Sequence, residues 1–190
     1  MTHQAEITAP ATNHWLRQYY LTRAAFSLLW VASVLTIGQQ NALLGAILLV
    51  LYPAWDAAAT YVDATRNGGL GVNRIHAINV AVSIITALAV LTALQAGQGP
   101  VLTVFGAWAI LSGLLQLGVA LHRWQVAGAQ WAMVLSGAQS ALAGAFFVFQ
   151  SLQSAPAVAP TVAGYAAFGA IYFLVSAITL FMTGRTPKQA

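Results

Sequence analysis

The chain lacks cysteine and has very little charge. Only 5% of its 190 residues are charged, and three of them are acidic, whereas an ordinary globular domain carries about 25% charged residues. A water-exposed surface cannot be built from so few charges, so the composition excludes a typical soluble protein. Without cysteine there are no disulfides and no thiolate metal sites. The seven basic residues are spread along the chain and form no patch for nucleic acid.

Apolar residues dominate the chain instead. They make up 59% of it, and the mean hydropathy is +0.76. Six apolar runs come close to the ~20 residues that a helix needs to cross a bilayer. The predicted spans cover 19–38, 42–62, 75–94, 101–121, 130–149 and 162–183. Within lipid the backbone must satisfy its own hydrogen bonds, so we predict an all-α bundle of six transmembrane helices with the bilayer as its surroundings.

Basic residues predict the orientation of this bundle. All of them lie at the start of the first span, between spans two and three, between spans four and five, or after span six. They are Arg17, Arg23, Arg66, Arg74, Arg123, Arg185 and Lys188. Because Lys and Arg accumulate in cytoplasmic loops, both ends are expected in the cytoplasm. The domain organisation is then a polar N-terminal tail over 1–18, a membrane domain over 19–183 and a second cytoplasmic tail over 184–190.

The six spans also show an internal repeat. In the first helix of each predicted hairpin, a polar residue precedes a serine by four positions, which gives Arg23 and Ser27, Asn79 and Ser83, and Ser136 and Ser140. In the second helices, 52–55 aligns with 105–108 and with 168–171. We therefore predict three parallel two-helix hairpins, related by an axis along the membrane normal.

Two segments carry a resemblance to a known family. They are VFGAWAILSGLLQL at 104–117 and GAQWAMVLSGAQS at 128–140. With them the chain resembles the bacterial membrane family called domain of unknown function 308, which contains HdeD-like acid-resistance proteins built of short two-helix repeats. The resemblance covers 19–185. It implies a multi-pass protein of the bacterial cytoplasmic membrane that acts in envelope or acid stress.

No catalytic or cofactor site is expected. Ser112 and Ser136 each precede a glycine inside a span, but all four histidines, His3, His14, His76 and His122, lie in the tail or at a boundary. A membrane-buried serine–histidine pair is therefore not expected, and neither is an enzyme. The histidines are too scattered for a metal site. Ser136, Ser140 and Gly144 are better explained as a face of small residues that packs closely against another helix.

One charged pair stands out inside the membrane. Asp56 lies well within the second span, where an isolated charge costs about 2.5–3.5 kcal/mol, and Arg23 on the neighbouring helix is its expected partner. Asp63 shares its helix face but lies nearer the interface, where water is expected to satisfy it. The candidate polar cluster comprises Arg23, Ser27, Tyr52, Asp56, Asp63, Asn79, Ser83, Ser136 and Ser140.

Two functions remain open. The first is a non-enzymatic stress protein that acts through its fold, as a homo-oligomer or with another membrane protein. The second is a small channel or transporter that uses a cytoplasm-facing polar cavity around Arg23 and Asp56. A cavity that reaches past Asp56 toward the membrane centre favours transport, whereas a dry, ion-paired interface favours the first function.

Overall fold

The computed structural model describes residues 3–125, 129–153 and 158–183, and this part of the chain is helical without strands. Its helices are α1 (His3–Leu35), α2 (Ile37–Gln40), α3 (Ala42–Arg66), α4 (Arg74–Ala96), α5 (Gln98–His122), α6 (Gln130–Gln153) and α7 (Val158–Thr183). All but the short α2 are long and apolar enough to cross a membrane. The prediction of an all-α protein with six spanning helices is confirmed.

The observed helices extend the predicted spans by a few residues. The 25 residues of α3 measure about 37 Å at ~1.5 Å per residue, which exceeds the ~30 Å hydrocarbon core. The largest difference lies at α1, which is helical from His3, where the sequence predicts a tail over 1–18. Leu16 within that stretch is 1% exposed and belongs to the same apolar cluster as Phe173 and Leu180 of α7. The tail over 184–190 lies outside the described residues.

Large apolar side chains cover the outer surface of the bundle. Leu29 on α1, Ile85 on α4 and Leu142 on α6 are 64–72% exposed. Exposed apolar residues of this size suit lipid and not water. The protein is therefore a multi-pass membrane protein.

The six long helices form a closed ring. Each contacts the next along the chain, and α7 returns to α1. The most extensive contacts join α5 to α6, α7 to α1 and α3 to α4, which are helices of successive predicted hairpins. An axis through such a ring is what three parallel hairpins require. The duplication itself stays a prediction.

The backbones of α5 and α6 touch. A Cβ added at Gly113 would lie 2.6 Å from the carbonyl oxygen of Gly137, and one at Gly106 would lie 2.8 Å from that of Gly144. Only glycine permits this approach, as in other small-residue helix pairs in membranes. Ser140 also packs against Gly113, so close packing of the small face on α6 is confirmed for Ser140 and Gly144.

Apolar side chains fill the ring at the end that carries α2. The cluster includes Trp30, Leu49, Leu102, Phe105 and Val162, all less than 9% exposed. These residues come from the second half of α1 and the first halves of α3, α5 and α7. At the other end, near Arg66 and Arg123, a second apolar cluster includes Leu16 and Leu180, and buried polar side chains occupy the interior beside it.

Candidate functional site: a polar cavity inside the helix ring

An ion pair between α1 and α3 lies among the polar side chains inside the helix ring. Arg23 Nη2 donates to Asp56 Oδ1, and Arg23 Nη1 donates to the hydroxyl of Tyr19 at 2.9 Å. The guanidinium carbon also lies 4.7 Å from the ring centroid of Phe173 on α7. Asp56 is 7% exposed. The predicted direct ion pair, facing the bundle and not lipid, is confirmed.

Helix α4 supplies the remaining partners of Asp56. Asn79 Nδ2 and Ser83 Oγ each donate to Asp56 Oδ2 at 2.9 Å, and Asn79 also donates to Thr60 Oγ1 at 3.0 Å. These bonds satisfy a carboxylate that burial would otherwise destabilise. The expectation that serine, asparagine and tyrosine groups support the Arg23–Asp56 pair is therefore confirmed.

Asp63 forms a second network about two turns nearer the end of α3. Trp15 Nε1 and Asn67 Nδ2 donate to its Oδ1 at 3.1 and 2.9 Å, and His76 Nε2 and Arg123 Nη2 lie 3.1 and 2.9 Å from its Oδ2. We call this set the Asp63 network. Since a carboxylate offers about four acceptor positions, Asp63 is saturated.

The expectation that water satisfies Asp63 is wrong. Its side chain is 2% exposed, which makes it more deeply buried than Asp56. Trp15 from α1 and Arg123 at the end of α5 reach across the ring and cover it. Position within α3 alone suggested an interfacial aspartate, but residues from other helices decide its surroundings.

Three aromatic side chains close the cavity near the middle of the bundle. Ser27 lies close to Tyr52, Trp108 Nε1 donates to Ser83 Oγ at 3.0 Å, and Ser140 Oγ lies 2.7 Å from the hydroxyl of Tyr165. The Trp108 ring lies edge-on to both tyrosines, with centroids 5.7 and 6.2 Å apart. We call Tyr52, Trp108 and Tyr165 the aromatic floor.

Ser83 and Ser140 thus each form a hydrogen bond with an aromatic residue 25 positions further along the chain, and Ser27 lies close to Tyr52 at the same spacing. The sequence alignment of the second helices instead pairs Tyr52 with Phe105 and Phe168. That alignment is not supported by these contacts, which group Tyr52 with Trp108 and Tyr165. The alignment matched small residues next to an aromatic residue. This pattern recurs by chance in helices that are rich in apolar residues.

A cavity lies between the Asp63 network and the aromatic floor. Its volume, counted as space for the centres of water molecules, is ≈ 110 Å³. One water needs about 10–15 Å³ on that scale, so there is room for several waters or a small solute. All six long helices line it, and Tyr52 and Tyr165 lie at its wall.

Most predicted cluster residues meet in this cavity. Those that line it are Arg23, Ser27, Tyr52, Asp56, Asp63, Asn79, Ser136 and Ser140. Ser83 lies behind Asp56 and is fully buried. Arg23, Asn79 and Ser136, the polar residues that precede the repeated serines, all line the cavity.

Several contributors were not predicted as part of the site. They are Trp15, His76, Trp108, Arg123 and Tyr165. Trp108 and Tyr165 carried a usable signal, because each follows a repeated serine by the same 25 residues that separate Ser27 from Tyr52. No sequence signal identified the partners of Asp63, because their contacts with it depend on how four segments pack.

The chemistry available in the cavity is hydrogen bonding, ion pairing and aromatic contact. Within residues 3–125, 129–153 and 158–183, no three His, Asp or Glu side chains are grouped as a metal site would require. Hydroxyl, amide and ring groups surround the two ion pairs. Such a lining suits the binding of a small molecule.

No protein-family model, curated protein or solved structure matches this chain. Membership in the family that the sequence resembles therefore stays a prediction. The function has to be inferred from the cavity and the helices that surround it.

Proposed function

We propose that this multi-pass membrane protein is a small transporter whose substrate site is the cavity in its helix ring. The observation that carries the proposal is the depth of the cavity. It extends past Asp56 to Tyr52, which lies close to the middle of α3 (Ala42–Arg66). Ion pairing alone would need no such space, because a dry interface satisfies both charges equally well.

Layers of side chains at the two ends of the cavity support transport over simple binding. The aromatic floor lies toward the end that carries α2, and the Asp63 network joins α1, α3, α4 and α5 at the other end. Alternate opening of the two layers would move a solute held between them across the membrane, as in carriers with a central site.

The orientation belongs to the same proposal. Arg66 lies over the Trp15 ring at 4.8 Å, and Arg123 reaches Asp63, so these basic residues share one end of the bundle. By the positive-inside rule we place that end in the cytoplasm, with both termini there, and the family resemblance implies a bacterial cytoplasmic membrane. The Asp63 network is then the cytoplasmic layer.

The other expectations remain predictions. A stress role in the bacterial envelope, as the resemblance implies, is a physiological setting that is compatible with transport. A homo-oligomer or a membrane-protein partner is likewise untested, as is the absence of enzymatic activity.

The test uses single cysteines, which the natural chain lacks. Gly169 lines the cavity, and a Cβ there meets nothing within 4 Å. We expect Gly169→Cys in sealed vesicles to react with an impermeant thiosulfonate added to either side, because the site alternates. Asn41→Cys should react only from outside and Asn67→Cys only from the cytoplasmic side. Reaction of Gly169→Cys from one side alone would reject the transporter and leave a receptor or binding protein.

A further inference from the structure

The charges that face the cavity compensate one another. Arg23 and Arg123 line it with Asp56 and Asp63, and each arginine is paired with one aspartate. With both aspartates ionised, these four charges sum to zero. A charged solute would therefore bring a charge that no side chain of the cavity compensates into the interior of the membrane domain, which is unfavourable.

The unused hydrogen-bonding capacity of these groups consists mainly of donors. Asp63 accepts at all four positions and Asp56 at three. Arg23 has five N–H groups, and within the described residues it donates only to Tyr19 and Asp56. Its side chain is 16% exposed although it lies inside the ring. These side chains can therefore donate further hydrogen bonds to a bound solute, and the solute needs an acceptor oxygen to receive them.

Aromatic rings provide the apolar part of the site. Tyr52, Trp108 and Tyr165 form the floor, and Phe173 stands beside Arg23. Flat rings such as these favour a flat apolar group on the solute, through offset or edge-to-face contacts.

From these three features we infer that the cavity binds a small uncharged solute that combines a flat apolar group with a carbonyl or similar acceptor oxygen. Arg23 donates to that oxygen through N–H groups that Tyr19 and Asp56 leave free. The inference rests on the proposed function, since it names the substrate class of the same cavity.

Three probes of nearly equal shape test the ligand class. Benzamide is neutral, benzoate carries a negative charge and benzamidinium a positive charge. Titration calorimetry on the full chain in lipid nanodiscs should show benzamide binding at least tenfold more tightly than either ion. If benzoate or benzamidinium binds most tightly, the inferred class is wrong while the cavity remains a binding site.

Two glycines of α7 locate the binding. Gly169 and Gly164 both leave open space around an added Cβ, but only Gly169 lines the cavity. Gly169→Leu should abolish benzamide binding, and Gly164→Leu should preserve it. Equal effects of the two would place the probe outside the cavity and overturn the inference.

The donor role of Arg23 has its own variant. Arg23→Lys keeps the charge but loses the forked donor geometry, and it should weaken benzamide binding at least tenfold while leaving the preference over benzoate. Unchanged benzamide affinity would reject the donor role. If none of the three probes binds the natural chain, the ligand class is rejected, and labelling of Gly169→Cys then decides the proposed function separately.

Discussion

The middle and the C-terminal end of α5 are held by different kinds of contact. Along its middle, α5 lies against α6 with backbone touching backbone at Gly106 and Gly113. At its end, Arg123 reaches across the ring to Asp63 through side chains alone. Backbone contact leaves no room for adjustment, whereas long side chains can release and re-form a bond without moving a helix far.

This difference separates a frame from a moving part. The α5/α6 contact, together with that of α1 and α7, provides the fixed frame of the ring. The Asp63 network joins helices α1 and α3, whose direct contact is the least extensive in the ring. We therefore expect changes of shape between these helices and not between α5 and α6.

The largest effect is expected where the frame is broken. Gly113→Leu places a side chain where even a Cβ would lie 2.6 Å from a carbonyl oxygen, so α5 and α6 must separate. Unfolding in detergent should show a loss of about 5 kcal/mol or more, beyond the range of most single substitutions. Gly164→Leu, which meets nothing within 4 Å, serves as control. Equal stability of the two variants would show that α5 and α6 do not touch.

The next effect compares the two aspartates. Asp63→Ala removes the shared partner of Arg123, Trp15 and His76, at a cost of about 3–5 kcal/mol, measured by denaturant unfolding. Asp56→Ala should cost less, because Arg23 keeps Tyr19 and Phe173. This order reverses the one that the sequence suggests. If Asp56→Ala proves the more damaging, the Asp63 network does not hold the ring together.

Sequence reasoning succeeded where the membrane itself imposes the rule. Hydropathy predicted the six helices, and the cost of a buried charge predicted that Asp56 pairs with Arg23. Both predictions depend only on local composition and on depth in the membrane. It failed at Asp63, whose depth in α3 says nothing about Trp15 and Arg123 arriving from other helices. Such contacts depend on helix packing across the ring, which no local pattern encodes.

The smallest effects are expected at the repeated serines. Ser27→Ala should cost about 1 kcal/mol, the net value of one hydrogen bond. Ser83→Ala and Ser140→Ala should each cost more, since Ser83 serves both Trp108 and Asp56 and Ser140 serves both Tyr165 and the backbone carbonyl of Ala109. Thermal unfolding of the three variants checks this. If the three losses of stability show no common pattern, and the loss for Ser83→Ala is the smallest, the three hairpins do not share the same serine–aromatic contact.

The central claim is that space accessible to water runs from the Asp63 network to the aromatic floor and stops there. The most direct measurement compares two cysteines on α7, Gly169→Cys above the floor and Ala163→Cys below it, where Ala163 is 1% exposed. In inverted vesicles, a small impermeant thiol reagent should modify Gly169→Cys and leave Ala163→Cys unmodified. Protection of both would show a dry, purely structural interface and contradict the account.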